Sequence, residues 1–196
     1  MPTDPISAAL RISWASIVWS ALAGAASVAL GVGAASLALI GSGITVLIDL
    51  TSSAVLVWRF RHPHGHLAAE RRANLAAAAA LSALSVALAS LSVMRLVTGG
   101  SAHPNGESIS IAAASFVVLP LIASVKYHAA RRVPSRALRV DAHITLMGAS
   151  TAALTLTGLA LTERGLDSAD PLAGLVIALA AGVIGVHELR QLWRER

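Results

Sequence analysis

Three histidines and a glutamate fall within the nine residues of HPHGHLAAE, residues 62–70, between two long apolar runs. Imidazole nitrogens and a carboxylate are ligands suited to Zn²⁺, Ni²⁺ or Co²⁺ and poorly suited to Mg²⁺. The same stretch can also be a solvated polar turn, because short histidine tracts arise readily and an acid is favoured at the start of a helix. The candidate ligands in this loop are His62, His64, His66 and Glu70.

Asp49 is the second residue that could carry chemistry, because it lies nine residues inside an apolar segment that ends at Trp58. At about 1.5 Å of rise per residue, it is about 13 Å deep, near the bilayer midplane. An ionised carboxylate there costs several kcal/mol, and such residues generally face a bundle interior or an aqueous cavity. Helical spacing places Thr45, Ser52 and Ser53 on the same face. Asp49 is therefore predicted either to bind a cation or to join helices as a protonated, hydrogen-bonded acid.

The fifth apolar segment begins with two further candidate ligands, Asp141 and His143. By helical rise they lie only about 3 and 6 Å inside the segment, and Thr145 follows at about 9 Å. The depth that matches Asp49 is reached near Gly148, which has no side-chain ligand. A spacing of i, i+2 points Asp141 and His143 to different helix faces, so they cannot chelate one ion without distortion. Asp141 is thus either a ligand or a capping or interface charge.

The composition indicates what kind of fold must position these residues. Of 196 residues, 56% are hydrophobic and 13% are charged, and the mean hydropathy is +0.72. Average globular usage is roughly 45 to 50% apolar with about a quarter charged, so the composition predicts an integral membrane protein. There are no cysteines, which excludes disulfides and thiolate metal sites. The net charge of +5 lacks the aromatic interleaving of a nucleic-acid surface.

Six apolar segments are long enough to cross a hydrocarbon core, which takes about 20 helical residues. They span 12–32, 35–58, 74–97, 108–127, 137–161 and 171–193. The predicted fold is an all-α membrane protein with a single six-helix domain over 1–196 and no room for a soluble carboxy-terminal domain. Asp170 before Pro171 is typical of an N-cap followed by a first-turn proline.

The basic residues predict the orientation of the helices. With the amino terminus inside, thirteen of the fifteen Lys and Arg fall in inner segments, and Arg95 and Arg164 remain outside. Both termini and the histidine loop are therefore predicted to be cytoplasmic. Fourteen arginines against one lysine, with abundant alanine, suggest a GC-rich bacterial genome and hence a plasma (inner) membrane. The inner basic residues are Arg11, Arg59, Arg61, Arg71, Arg72, Lys126, Arg131, Arg132, Arg136, Arg139, Arg190, Arg194 and Arg196.

These features together resemble the membrane domain of the cation diffusion facilitator (cation efflux) family, the proton-coupled exporters of zinc and related divalent metals. HPHGHLAAE at 62–70 is similar to the family's HPxGHxxxE loop after the second helix, and it is the most specific element. The likeness covers nearly the whole chain and is greatest to a small vesicular zinc-efflux branch. It implies a six-helix bundle with both termini inside and a homodimer in the lipid bilayer. The other similar stretches are LIDLTSSAVLVWRFR at 47–61, ALRVDAH at 137–143 and ADPLAGLVIA at 169–178.

The resemblance also implies a tetrahedral intramembrane site with two ligands four residues apart on helix two and two on helix five. The matching positions here are Thr45, Asp49, Ile144 and Gly148, and only Asp49 keeps a family ligand. One carboxylate and a hydroxyl do not satisfy four-coordinate Zn²⁺. The implied function is export of a divalent cation, zinc foremost and with proton coupling, through a degenerate site. Asp141 and His143 would have to compensate for the lost ligands.

An alternative function belongs to another class: a non-transporting membrane protein that binds metal or a partner through the cytoplasmic histidine loop. Ile144 and Gly148 favour this alternative, and the polar stripe around Asp49 disfavours it. An enzyme is not predicted. No stretch resembles a nucleophile with its base, a phosphate-binding glycine loop or a zinc-protease helix.

Overall fold

The computed structural model describes residues 5–61, 67–132 and 136–194, and these residues form six α-helices. All six are long and apolar enough to cross a membrane, which confirms the predicted all-α membrane fold. Helices satisfy their backbone hydrogen bonds internally, as a lipid environment requires. They are α1 (Pro5–Gly33), α2 (Leu37–Arg61), α3 (Leu67–Thr98), α4 (Gly106–Arg132), α5 (Arg136–Glu163) and α6 (Ala169–Arg194).

The helices extend beyond the predicted apolar segments. The start of α3 is Leu67 rather than residue 74, because LAAERRA consists largely of strong helix formers that continue the helix outside the apolar window. Likewise, α4 continues to Arg132 rather than residue 127. Lys126, counted above among the inner basic residues, lies within α4 as the predicted span 108–127 has it, but its side chain is fully buried, which was not predicted.

Four of the helices form a ring, and the other two form a pair outside it. Around the ring, α1 packs on α2, α2 on α5, α5 on α4, and α4 on α1. The outer pair, α3 and α6, pack tightly on each other and contact the ring through α2 and α5. Residues that point into the ring are therefore shielded on all sides by α1, α2, α4 and α5.

Small residues allow the closest helix contacts. A Cβ atom at Gly43 of α2 would lie 2.9 Å from the carbonyl oxygen of Gly24 in α1, and one at Gly185 of α6 would lie 2.5 Å from Oγ of Ser82 in α3. Between membrane helices, packing at this range replaces the hydrophobic effect as the main attraction. Glycine at these positions thus sets the spacing of both helix pairs.

The connections α1–α2, α3–α4 and α5–α6 meet at one end of the bundle, called here the hairpin end. The N–H of His103 donates to the carbonyl oxygen of Ala34, and the Arg95 guanidinium donates to that of Ala35. Ser36 caps α2 by accepting the N–H of Leu39 at 3.0 Å. These contacts tie α3 and the α3–α4 connection to the α1–α2 connection.

Asp170 adds the strongest link at the hairpin end. Its buried carboxylate accepts hydrogen bonds from the backbone N–H of Leu37 at 2.9 Å and from the Ser36 hydroxyl at 2.5 Å. Asp170 lies inside the first turn of α6, so the predicted N-cap of the sixth helix is wrong, and its carboxylate caps a different helix, α2. The carboxylate caps α2, because an anion stabilises the N–H groups exposed at a helix start.

Candidate cation site

A cluster of charged and hydroxyl side chains fills the interior of the four-helix ring, at the level of the middle of α2. Each helix of the ring contributes, and α3 and α6 contribute nothing. Every member is at most 1% exposed. This central cluster consists of Ser16 and Ser20 from α1, Asp49 and Ser53 from α2, Lys126 from α4, and Asp141 and Thr145 from α5.

Lys126 is the only cation in the central cluster. Its ammonium lies 2.7 Å from Oδ2 of Asp141, an ion pair in which both side chains are buried. It also donates to Oγ1 of Thr145 at 2.7 Å and to Oγ of Ser53 at 3.0 Å. The two hydroxyls are hydrogen-bond acceptors of the ammonium, and the Asp141 carboxylate is its ion-pair partner.

Asp49 is held differently, through hydroxyls. Its Oδ1 accepts the Thr145 hydroxyl at 2.9 Å and its Oδ2 accepts the Ser20 hydroxyl at 3.0 Å. Within the described part of the chain, no basic side chain forms an ion pair with it. With all three groups ionised, two carboxylates face one ammonium, and one negative charge remains uncompensated. Burying such a charge is expensive in a membrane unless a cation joins it.

Asp141 joins Asp49 in the cluster, whereas His143 does not. Asp141 is buried, and its Oδ1 accepts the Ser53 hydroxyl at 2.9 Å. His143 is exposed on another face of α5, where its Nδ1 contacts the Arg139 carbonyl oxygen at 2.8 Å. The i, i+2 argument for two different faces is confirmed.

Thr45 also lies apart from Asp49. It is buried, but its hydroxyl donates to the Gly41 carbonyl oxygen at 2.8 Å, one turn back along α2. Thr45, Ser52 and Ile144 line a separate, mostly apolar cavity of about 120 Å³ between α2, α3, α5 and α6. The predicted polar stripe is thus split, because Ser53 faces the central cluster while Thr45 and Ser52 face the cavity.

Gly148 lies against apolar side chains. A Cβ atom there would be in ordinary van der Waals contact with two apolar side chains, 3.4 Å from Leu119 and 3.7 Å from Val46, and glycine itself offers no side-chain ligand. The second helix-five ligand that the resemblance implies therefore has no equivalent at this point of the structure.

The histidine loop falls largely outside the described residues. His62, His64 and His66 lie in the gap between 61 and 67, and for Glu70 the structure gives only its place in α3. Across the described ranges, no three His, Cys, Asp or Glu side chains gather as a metal site would require. The oxygen donors that do gather are the two carboxylates and the hydroxyls of the central cluster.

Two contributions to the cluster were missing from the sequence-based prediction. The α1 serines had a visible signal, because positions 13, 16 and 20 are spaced as one helical face and all three side chains are buried. Lys126 had a weaker signal: it is the single lysine beside fourteen arginines. A basic residue near the end of an apolar segment is normally assigned to the polar region outside it, so the burial of Lys126 was not predicted.

Comparison with known proteins gives two matches. The cation efflux transmembrane domain matches residues 13–195, a range that contains all seven members of the central cluster. An uncharacterized transporter of Methanocaldococcus jannaschii is 26% identical over 173 residues, which is 84% of this chain and 61% of that protein. The chain therefore spans about three-fifths of the length of the curated relative it matches.

Proposed function

Because the chain belongs to the cation efflux family, as the match over residues 13–195 shows, we propose that it carries a divalent cation across the membrane through the central cluster. The observation that supports this most is the burial of the Asp49 side chain without an ion-pair partner among the described residues. The side chain is 1% exposed, midway along a membrane-spanning helix, and its described partners are hydroxyls alone. A transported cation would supply the missing positive charge.

The ligand atoms of the central cluster restrict the type of cation that the site would bind. Two carboxylates and three or more hydroxyls are hard oxygen donors, which suit Mn²⁺ or Mg²⁺, whereas zinc sites usually include nitrogen or sulfur. Zinc is the ion that the family resemblance implies, so the proposed substrate is a divalent cation with zinc and manganese as the two to compare. Asp49 and Asp141 are the proposed carboxylate ligands, with Thr145 between them.

Transport would require the site to open to each side in turn. In transporters with a site near the midplane, this occurs when one group of helices rocks against another. Here the outer pair α3 and α6 and the four-helix ring are two such groups, joined through α2 and α5. We further propose a homodimer in a bacterial plasma membrane, with both termini cytoplasmic and export as the direction. Counter-transport of protons is a further proposal.

The test is a flux assay in proteoliposomes, with Zn²⁺ and Mn²⁺ measured separately. Asp49→Asn should reduce the flux of the accepted ion to that of protein-free liposomes, because the variant removes the charge and keeps the side-chain shape. The matched control is Asp167→Asn, an exposed aspartate at the hairpin end, which should transport like the wild type. Equal flux in the wild type and in Asp49→Asn would exclude Asp49 as the site.

A second candidate function rests on the absence of a three-ligand His, Cys, Asp or Glu group in the described ranges. In that case the protein would bind metal through His62, His64, His66 and Glu70 without moving it across the membrane. Calorimetric zinc titration separates the two candidates. Binding that is lost in His64→Ala and His66→Ala but kept in Asp49→Asn, together with no flux, would favour this second function.

A further inference from the structure

The ammonium of Lys126 has the coordination that a bound cation would have. Three oxygens from three different residues surround it at 2.7 to 3.0 Å: Asp141 Oδ2, Thr145 Oγ1 and Ser53 Oγ. The side chain is 0% exposed. The nitrogen thus has two hydrogen bonds to hydroxyls and one carboxylate oxygen at ion-pair distance, and these three oxygens are called here the oxygen shell.

The shell also connects the ammonium to both carboxylates. Thr145 Oγ1 accepts from Lys126 and donates to Asp49, while Ser53 Oγ accepts from Lys126 and donates to Asp141. The Ser53 proton thus points to a carboxylate oxygen, and the single Thr145 proton lies between Asp49 Oδ1 at 2.9 Å and the Asp141 backbone carbonyl oxygen at 3.0 Å. A divalent cation that used Asp49 and Asp141 together would need these same oxygens.

We propose that Lys126 is a tethered competitor of the transported cation, and hence the specificity-determining residue of the site. This inference rests on the proposed transport function. In the unloaded protein the ammonium occupies the oxygen shell, and a substrate cation binds by displacing it. Lysine suits this role because its charge is a compact group on a flexible four-carbon stem with no fixed fork geometry.

Competition from the Lys126 ammonium affects the choice between divalent and monovalent cations. A cation must supply more favourable interactions with the two carboxylates than the ammonium does, so a monovalent ion gains little by the exchange. A divalent ion gains the attraction of a second charge, which is large at the low effective dielectric of a buried site. Lys126 therefore selects for divalent over monovalent cations and also weakens divalent binding below what the bare carboxylates would give.

The first test uses the fact that Lys126 is the only lysine in the chain. A small water-soluble acetylating reagent is added to the detergent-solubilised wild type with and without MnCl₂, and the Lys126 peptide is measured by mass spectrometry. Mn²⁺ should accelerate acetylation at least about fivefold, because it shifts the ammonium out of its shell. The amino-terminal amine, read in the same spectra, should not change. The acceleration should disappear in Asp49→Asn.

The second test compares Mn²⁺ binding by calorimetry in wild type, Lys126→Met and Lys126→Arg. The methionine variant should bind at least about tenfold more tightly, since it removes a cation from a site between two carboxylates. The arginine variant keeps the charge and should bind no more tightly than the wild type. If Lys126→Met does not fold, the acetylation test still decides, because it needs only the wild type and Asp49→Asn.

The outcomes separate this inference from the transport proposal. If Mn²⁺ binds the wild type through Asp49 but leaves the acetylation rate and the Lys126→Met affinity unchanged, the competitor role is wrong and the transport function stands. If neither wild type nor Lys126→Met binds Mn²⁺ or Zn²⁺, both proposals are overturned. Faster acetylation together with tighter binding in Lys126→Met supports the tethered competitor.

Discussion

The hairpin end and the central cluster both bury an aspartate that a membrane protein must compensate, and they do so with different kinds of donor. Asp170 receives a backbone N–H and a capping hydroxyl at the start of α2. Asp49 and Asp141 receive only side-chain donors from four helices. A backbone N–H cannot leave its acceptor unless the helix moves, whereas hydroxyls and an ammonium can rotate away.

This difference indicates separate roles for the two regions. The Asp170 group joins α6 to α2 permanently and uses the favourable end of a helix dipole. The central cluster is exchangeable, because a rotation of Lys126, Ser53 or Thr145 frees the carboxylate oxygens without moving a backbone. A site for a transported ion needs the second property, since the ion has to leave as well as enter. Substitutions in the two regions should therefore separate stability from transport.

The largest loss of stability is expected for Lys126→Met, which leaves the buried carboxylate of Asp141 without its ion-pair partner. Removing one partner of a buried pair typically costs about 3 to 5 kcal/mol of unfolding free energy. The double variant Lys126→Met with Asp141→Asn should recover most of this loss, because no uncompensated carboxylate remains there. Denaturant unfolding in detergent micelles measures both. A Lys126→Met protein as stable as the wild type would show that the Lys126–Asp141 ion pair does not contribute to the unfolding free energy.

Asp170→Ala should be the next most destabilising change. It leaves the Leu37 N–H and the Ser36 hydroxyl buried without an acceptor, which we expect to cost about 2 to 3 kcal/mol. Flux per folded molecule should stay at the wild-type value, because the site is at the hairpin end. The control is Asp167→Ala, an exposed neighbour that should change neither property. Lost flux in the fully folded fraction of Asp170→Ala would show that Asp170 is needed for transport as well as stability. The proposed separation between the hairpin end and the central cluster would then be wrong.

Asp49→Asn should show the opposite pattern. The amide oxygen can still accept from one of the Thr145 and Ser20 hydroxyls, and the amide N–H can donate to the other once that hydroxyl rotates, so the unfolding free energy should change by no more than about 1 kcal/mol. Burial of an uncompensated charge is removed at the same time, which offsets part of any loss. The same unfolding assay, run beside the flux assay, tests this. A loss as large as that of Asp170→Ala would show that Asp49 is mainly a structural residue.

Much of the fold could be predicted from the sequence, because lipid forces each apolar segment to form a helix. The depth of Asp49 and the separate faces of Asp141 and His143 followed from helical geometry alone. The pairing of Lys126 with Asp141 did not, since spacing within one helix determines a face but not which helices meet there. The burial of Lys126 could not be predicted for the same reason, since the groups that surround its ammonium come from α2 and α5.

Substitutions at Thr145 make the smallest change to the central cluster. They also test it most specifically, because the Thr145 hydroxyl connects the Lys126 ammonium to Asp49. Thr145→Val keeps the shape and removes the hydroxyl, which should cost about 1 to 2 kcal/mol of unfolding free energy. Thr145→Ser keeps the hydroxyl and should lose less stability. Mn²⁺ binding separates the roles further: valine should weaken it by removing an oxygen ligand, while serine should leave it close to the wild type. Equal Mn²⁺ affinity in the valine and serine variants would show that the cation, if it binds, uses the carboxylates without the oxygen between them.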